Sequence, residues 1–110
     1  FLIIVLNSFL PAMLDLTKEE SIKVIIIRIQ GRAPPLPLTK KHTGSERSYI
    51  KQLDEYCREI QHCSFFDFTG HPLITEEMYS YTDHIKLEYK KVFTEIFFQE
   101  ILLNKKAVLK

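Results

Sequence analysis

The sequence predicts an α/β domain in three layers, a mostly parallel sheet covered by helices, and three observations carry that prediction. Ile22 to Ile29 (IKVIIIRI) contains an unbroken β-branched run, Val24 to Ile27, with no alternation to a polar face, the pattern of a strand buried on both sides. Strand-like stretches alternate with helix-length amphipathic segments in the order strand, helix, strand, helix, strand, helix, which implies crossovers and parallel pairing. A chain of 110 residues with 45% hydrophobic and 26% charged residues has the composition of one globular domain. Three strands are fewer than the usual five or six, and the chain opens on Phe1 with apolar residues at once. Residues 1–110 are therefore expected to be a single α/β domain or the carboxyl-terminal part of one, an incomplete portion of the full fold.

The elements follow in order. Phe1 to Leu6 (FLIIVL) is apolar throughout but is interrupted by Asn7, Ser8 and Pro11, well short of the roughly 20 apolar residues that span a bilayer, so it reads as a buried strand. It lacks the basic flank and small-residue cleavage site of a signal peptide. Ser8 to Glu20 places Phe9, Leu10, Met13, Leu14 and Leu16 at helical spacing, with Ser8 as the expected N-cap and Pro11 tolerated in the first turn. After the Ile22 to Ile29 strand, Gly31 and prolines 34, 35 and 37 make 30–44 a proline-rich loop. Ser45 to Gln61 is the clearest helix, with Tyr49, Ile50, Leu53, Tyr56, Cys57 and Ile60 on one face and a Thr43/Glu46 capping box at its start. Phe65 to Phe68 is a short strand. Ile85 to Leu103 is the closing helix, with Tyr89, Val92, Phe93, Ile96, Phe97 and Ile101 turned inward.

Cys57 and Cys63 would sit on or just past one helix, where Cα atoms six residues apart exceed the ~7 Å reach of a disulfide unless the chain doubles back. Two reduced thiols are expected, leaving the compartment open. Together with His62 they match no zinc spacing, and no metal is expected. Lysines and arginines number 15 against 14 acidic residues, a net charge of +1 with no basic stripe, so nucleic acid is not an expected partner. Only Gly31, Gly44 and Gly70 are glycine, and none builds a phosphate-cradling loop; a flavodoxin-like cofactor binder ranks last and no cofactor is expected.

The chemistry concentrates in the loop 69–83 and the Asp83-His84 pair that ends it. This connection is longer than the usual βα loop of about 2 to 6 residues, even with a helical turn from Thr75 to Tyr79, and such loops carry function. Histidine is the side chain that titrates near neutrality, and a neighbouring carboxylate orients it as a general base. The alternative is that Asp83 caps the last helix and His84 is a solvated first-turn residue. Arg28, Gln30 and Arg32 fall at the carboxyl end of a strand, where ligands bind in open α/β sheets, and Arg32 is the candidate for holding a carboxylate or phosphate. A surface charge or loop-ordering ion pair is its alternative.

Ile22 to Arg32 (IKVIIIRIQGR), Tyr49 to Tyr56 (YIKQLDEY), Phe66 to Phe68, and Asp83-His84-Ile85 together resemble the carboxyl-terminal part of SGNH/GDSL-type hydrolases. The nearer likeness is to the acyltransferase-like branch containing the D-alanine transfer and alginate O-acetylation proteins and uncharacterised bacterial relatives. The resemblance implies a serine, histidine and aspartate triad with an oxyanion hole. His84 would be the base and Asp83, or more remotely Asp67, the acid. The serine would lie upstream of Phe1, since no serine here stands in a Gly-Asp-Ser context. It further implies an acyl-bearing small molecule or surface polysaccharide as partner and an extracytoplasmic or membrane-associated setting. The sequence departs from the family where the acid usually lies three residues before the histidine, here Tyr81, and where an Asn and a Gly usually follow, here Lys86 and Tyr89. The competing class is a non-catalytic α/β module that keeps the fold alone. With few strands, an exposed sheet edge is expected to promote self-association.

Overall fold

The computed structural model describes residues 7–29, 44–80 and 84–104. Among them are three α-helices and a two-stranded parallel sheet: α1 (Leu10–Glu19), β1 (Val24–Arg28), α2 (Gly44–Arg58), β2 (Cys63–Asp67) and α3 (Lys90–Leu103), with 3-10 turns at Glu76–Met78 and Leu87–Tyr89. The expected Phe1 to Leu6 strand, the proline-rich loop and the Thr43 cap lie outside the described residues. The chain forms two compact units. One holds α1, β1 to Ile27, α2 and β2 to Phe66; the other begins at Arg28 and Asp67 and carries both 3-10 turns and α3.

In the first unit, Leu14, Cys57 and Cys63 are fully buried, and Leu10, Val24, Ile26, Tyr56, Ile60 and Phe65 pack against them. α1 departs from its expected face. Leu14 is its buried residue, whereas Phe9, Met13 and Leu16 are 86%, 55% and 64% exposed, so the helix meets the core along a narrow line rather than a broad stripe. Ser8 stands one position before the N-cap Phe9, and its Oγ accepts the Leu10 N–H at 3.2 Å. The helix stops at a left-handed residue: Ser21 has φ 58°, its N–H reaches the Lys18 carbonyl at 3.1 Å, and the Ile22 N–H reaches Thr17 at 2.8 Å. These paired bonds satisfy carbonyls that the last turn leaves open.

β1 is half-buried at every position, not buried on both faces as its composition suggested. Val24 and Ile26, two apart, point one way onto the core. α2 buries Ile50, Leu53 and Cys57 as the periodicity requires, but it ends at Arg58, three residues before the expected Gln61. There the Glu59 N–H bonds Tyr56, Ile60 bonds Cys57 and Cys63 bonds Ile60, and the chain doubles back into β2. That reversal overturns the expectation of reduced thiols. The Cα atoms of Cys57 and Cys63 are 5.4 Å apart, and the two residues form a disulfide. It also takes both sulfurs out of contention as metal ligands.

The second unit is built on aromatic packing. Phe68, immediately after β2, packs against Phe97 with centroids 4.6 Å apart and ring planes tilted by 60°; Phe97 meets Phe93 edge-on at 4.7 Å, and Tyr79 meets Phe93 edge-on at 6.4 Å. Ile74, Met78 and Ile96 are buried in the same unit. The inward row expected for the last helix is present in Phe93 and Ile96, while Val92 is 44% exposed. The helix itself begins at Lys90, not Ile85. Residues 84–86 are extended instead: Tyr79 and Ile85 form an antiparallel bridge, the Ser80 N–H donates to His84 at 2.7 Å and the Lys86 N–H to Met78 at 2.8 Å. Backbone committed to that ladder cannot also wind into a helix.

Candidate functional site

The loop leaving the carboxyl end of β2 is closed on itself at the neck formed by residues 78–80 and 84–86. Its first turn is set by Asp67, whose Oδ1 accepts the Thr69 N–H at 3.0 Å, and by Gly70, whose φ of 76° favours glycine. Arg28, the last residue of β1, donates from Nη1 to Thr69 Oγ1 at 3.0 Å, so the carboxyl end of β1 is fastened to the start of the loop. Polar side chains thus gather where the two parallel strands end.

His84 lies in this neck and is exposed. Its carbonyl is held by Ser80, which fixes the backbone from which the imidazole projects. It is not a first-turn helical residue. The helix N-cap is Tyr89, so the alternative in which the Asp83-His84 pair merely starts the helix has no helix to start. Asp83 and Arg32 lie outside the described residues, as do Gln30 and Tyr81. The remoter acid, Asp67, spends one carboxylate oxygen on the turn it caps.

A second histidine in the same unit, with no motif around it in the sequence, is held by a long-range contact. His71 Nε2 donates to Glu100 Oε1 at 2.8 Å, and Nδ1 accepts the Leu73 N–H at 3.2 Å. The carboxylate on one nitrogen and the backbone donor on the other together specify the Nε2–H tautomer. With both nitrogens engaged, and Phe68 packed beside the ring at 5.7 Å, His71 fastens the loop to α3 rather than serving a substrate. Its local signal was the Gly70-His71-Pro72 turn; Glu100, 29 positions later, gave none.

Two tyrosines complete the electrostatics. Burial pushes the Tyr79 phenol up. Tyr89 is pushed up first by its hydrogen bond to Glu77, which ties the two 3-10 turns together, and then by burial and the charges of Glu77 and Glu88. Among the described residues no group of three or more His, Cys, Asp or Glu side chains is placed to hold a metal, and no helix is long and apolar enough to cross a membrane. What the arrangement offers chemically is one solvent-accessible imidazole on a closed loop at the carboxyl end of a parallel strand.

No protein-family model matches the chain, and neither a curated protein nor a solved structure matches it.

Proposed function

We propose that this chain is the carboxyl-terminal part of an SGNH-like esterase or O-acyltransferase, a three-layer α/β domain whose remaining strands and nucleophilic serine lie upstream of Phe1. The observation that carries the reading is the position of His84, exposed in the neck of the loop that follows β2. In open α/β sheets the ligand crevice lies outside the carboxyl ends of the strands. His84 would take the proton from the serine hydroxyl as it attacks the acyl carbonyl, then return it to the departing group. In the second half, it would deprotonate water or an acceptor hydroxyl on a surface polysaccharide. Asp83 would be the acid that stabilises the imidazolium, and Arg32 would bind an anionic part of the acyl-bearing molecule. The Cys57–Cys63 disulfide supports an extracytoplasmic setting, since such bonds persist in oxidising compartments.

The test is hydrolysis of an activated acetate ester by the full-length gene product and by its His84→Ala variant. Loss of about 10³-fold or more in kcat is expected. Unchanged turnover would favour a second reading, a non-catalytic α/β module that keeps the fold only. One observation speaks for that module: Asp67, the remoter acid, is already used to cap a turn.

A further inference from the structure

The first unit contains a cleft of about 260 Å³ between the second half of α1 and the turn that follows α2. Leu14 and Ile60 line it with hydrocarbon, Tyr56 adds an aromatic ring, and Asp15, Lys18 and Glu59 bring charge. Those three exposed charged side chains form no ion pair among the described residues. Two carboxylates against one ammonium leave the rim at about −1. His62 faces the same cleft, and its Nε2–H donates to the Leu14 carbonyl at 2.8 Å and lies 3.0 Å from Thr17 Oγ1.

The cleft is also built rather than incidental. Glu59, Ile60, Gln61 and His62 all lie inside the span closed by the Cys57–Cys63 disulfide, and that span is braced by the backbone bonds from Glu59, Ile60 and Cys63. The opposite wall is tied to it through His62, which spans to α1. A wall fixed in advance binds without the cost of ordering a loop.

We propose that this cleft binds a small organic ammonium ion, its cationic head between Asp15 and Glu59 and its hydrocarbon or aryl body over Tyr56, Leu14 and Ile60. The two carboxylates attract the ammonium head, and burying the body against Tyr56 and the apolar floor removes its hydrocarbon from water. Asp15 and Tyr56 line the cleft together, and the phenol is pushed up by burial first and by the Asp15 charge second. The volume lies just under the range of about 300–1,000 Å³ typical of drug-sized sites, which suits a fragment-sized amine or the side chain of a lysine. This inference is independent of the proposed acyl chemistry, which resides in the other unit.

The experiment is a titration of the isotope-labelled chain, followed by backbone amide shifts, with phenethylamine, with the isosteric anion 3-phenylpropionate, and with a blocked lysine tripeptide. Saturable shifts confined to residues 14–18 and 56–62 are expected for the amine, with a dissociation constant on the order of 1 mM. Asp15→Asn and Glu59→Gln, both at exposed positions that the fold tolerates, should each weaken it about threefold to fivefold. Lys18→Gln, which removes the competing cation, should tighten it by a similar factor. Tighter binding of the tripeptide than of phenethylamine supports the site and assigns it to lysine side chains; the reverse order supports it and assigns it to free amines. Equal binding of the anion, indifference to all three charge variants, or no saturable shift by about 20 mM amine would overturn the proposal.

Discussion

Replacing Cys57 and Cys63 together by alanine removes the disulfide that clamps the end of α2 to the start of β2. Their sequence separation is 6, and a loop of that length restricts the unfolded chain by about 2 kcal/mol. Both sulfurs are buried in the core of the first unit, with exposures of 1% and 0%, so the alanine pair also forfeits packing, about 1 kcal/mol for each atom removed. Reduction of the wild-type chain keeps the sulfurs and loses only the link, which separates the two contributions. With a urea slope of about 1–2 kcal/mol per molar, the reduced chain should unfold at a midpoint about 1–2 M below the oxidised one, and the alanine pair lower still. Equilibrium unfolding by circular dichroism reads all three. Two titratable thiols per chain in unreduced, urea-unfolded protein, or coincident midpoints for oxidised and reduced chains, would refute the reasoning.

Ser21→Gly should stabilise the chain by about 0.5–1 kcal/mol, because glycine adopts the φ of 58° without the Cβ conflict; a thermal melt that moves down instead would show that Ser21 is held by something else. Glu100→Gln and His71→Asn should each destabilise by about 1 kcal/mol and be non-additive in a double-mutant cycle, since they share one bond between partly buried groups. Burial raises the Tyr79 pKa above its unfolded value near 10, so the folded state holds that proton more tightly. Its contribution is full below about pH 10 and is lost as pH rises through the folded value. Ultraviolet titration should therefore show a late phenol ionisation coinciding with alkaline unfolding that is missing in Tyr79→Phe, and a variant that keeps the late phase and loses an early one instead would contradict it. On the proposed acyl chemistry, with the serine supplied from elsewhere, this chain alone should show no turnover of an activated acetate ester, because a base without a nucleophile has nothing to activate. It should also self-associate in sedimentation, as its half-buried apolar β1 and exposed α1 residues suggest.

The sequence by itself determined the elements whose causes are local. The 3.6-residue spacing of Ile50, Leu53 and Cys57 specified the buried face of α2, the β-branched run specified β1, and the polar stretch after Phe68 specified a long loop with a helical turn near its middle. Each rests on neighbours within a turn or two of chain, which composition records directly. The tertiary structure alone decided the rest. Where α2 stops, and hence whether two cysteines can meet, depends on the reversal at Glu59–His62. Where α3 starts depends on Lys86 and Ser80 finding partners across a neck, a pairing that overrides the helical periodicity of Ile85 to Tyr89. His84 reaches solvent on extended backbone for that reason and not because of its own neighbours. His71 with Glu100, and His62 with Thr17, join residues 29 and 45 positions apart. Such contacts are set by how whole elements pack, a property spread over many side chains at once and written in no short stretch of sequence.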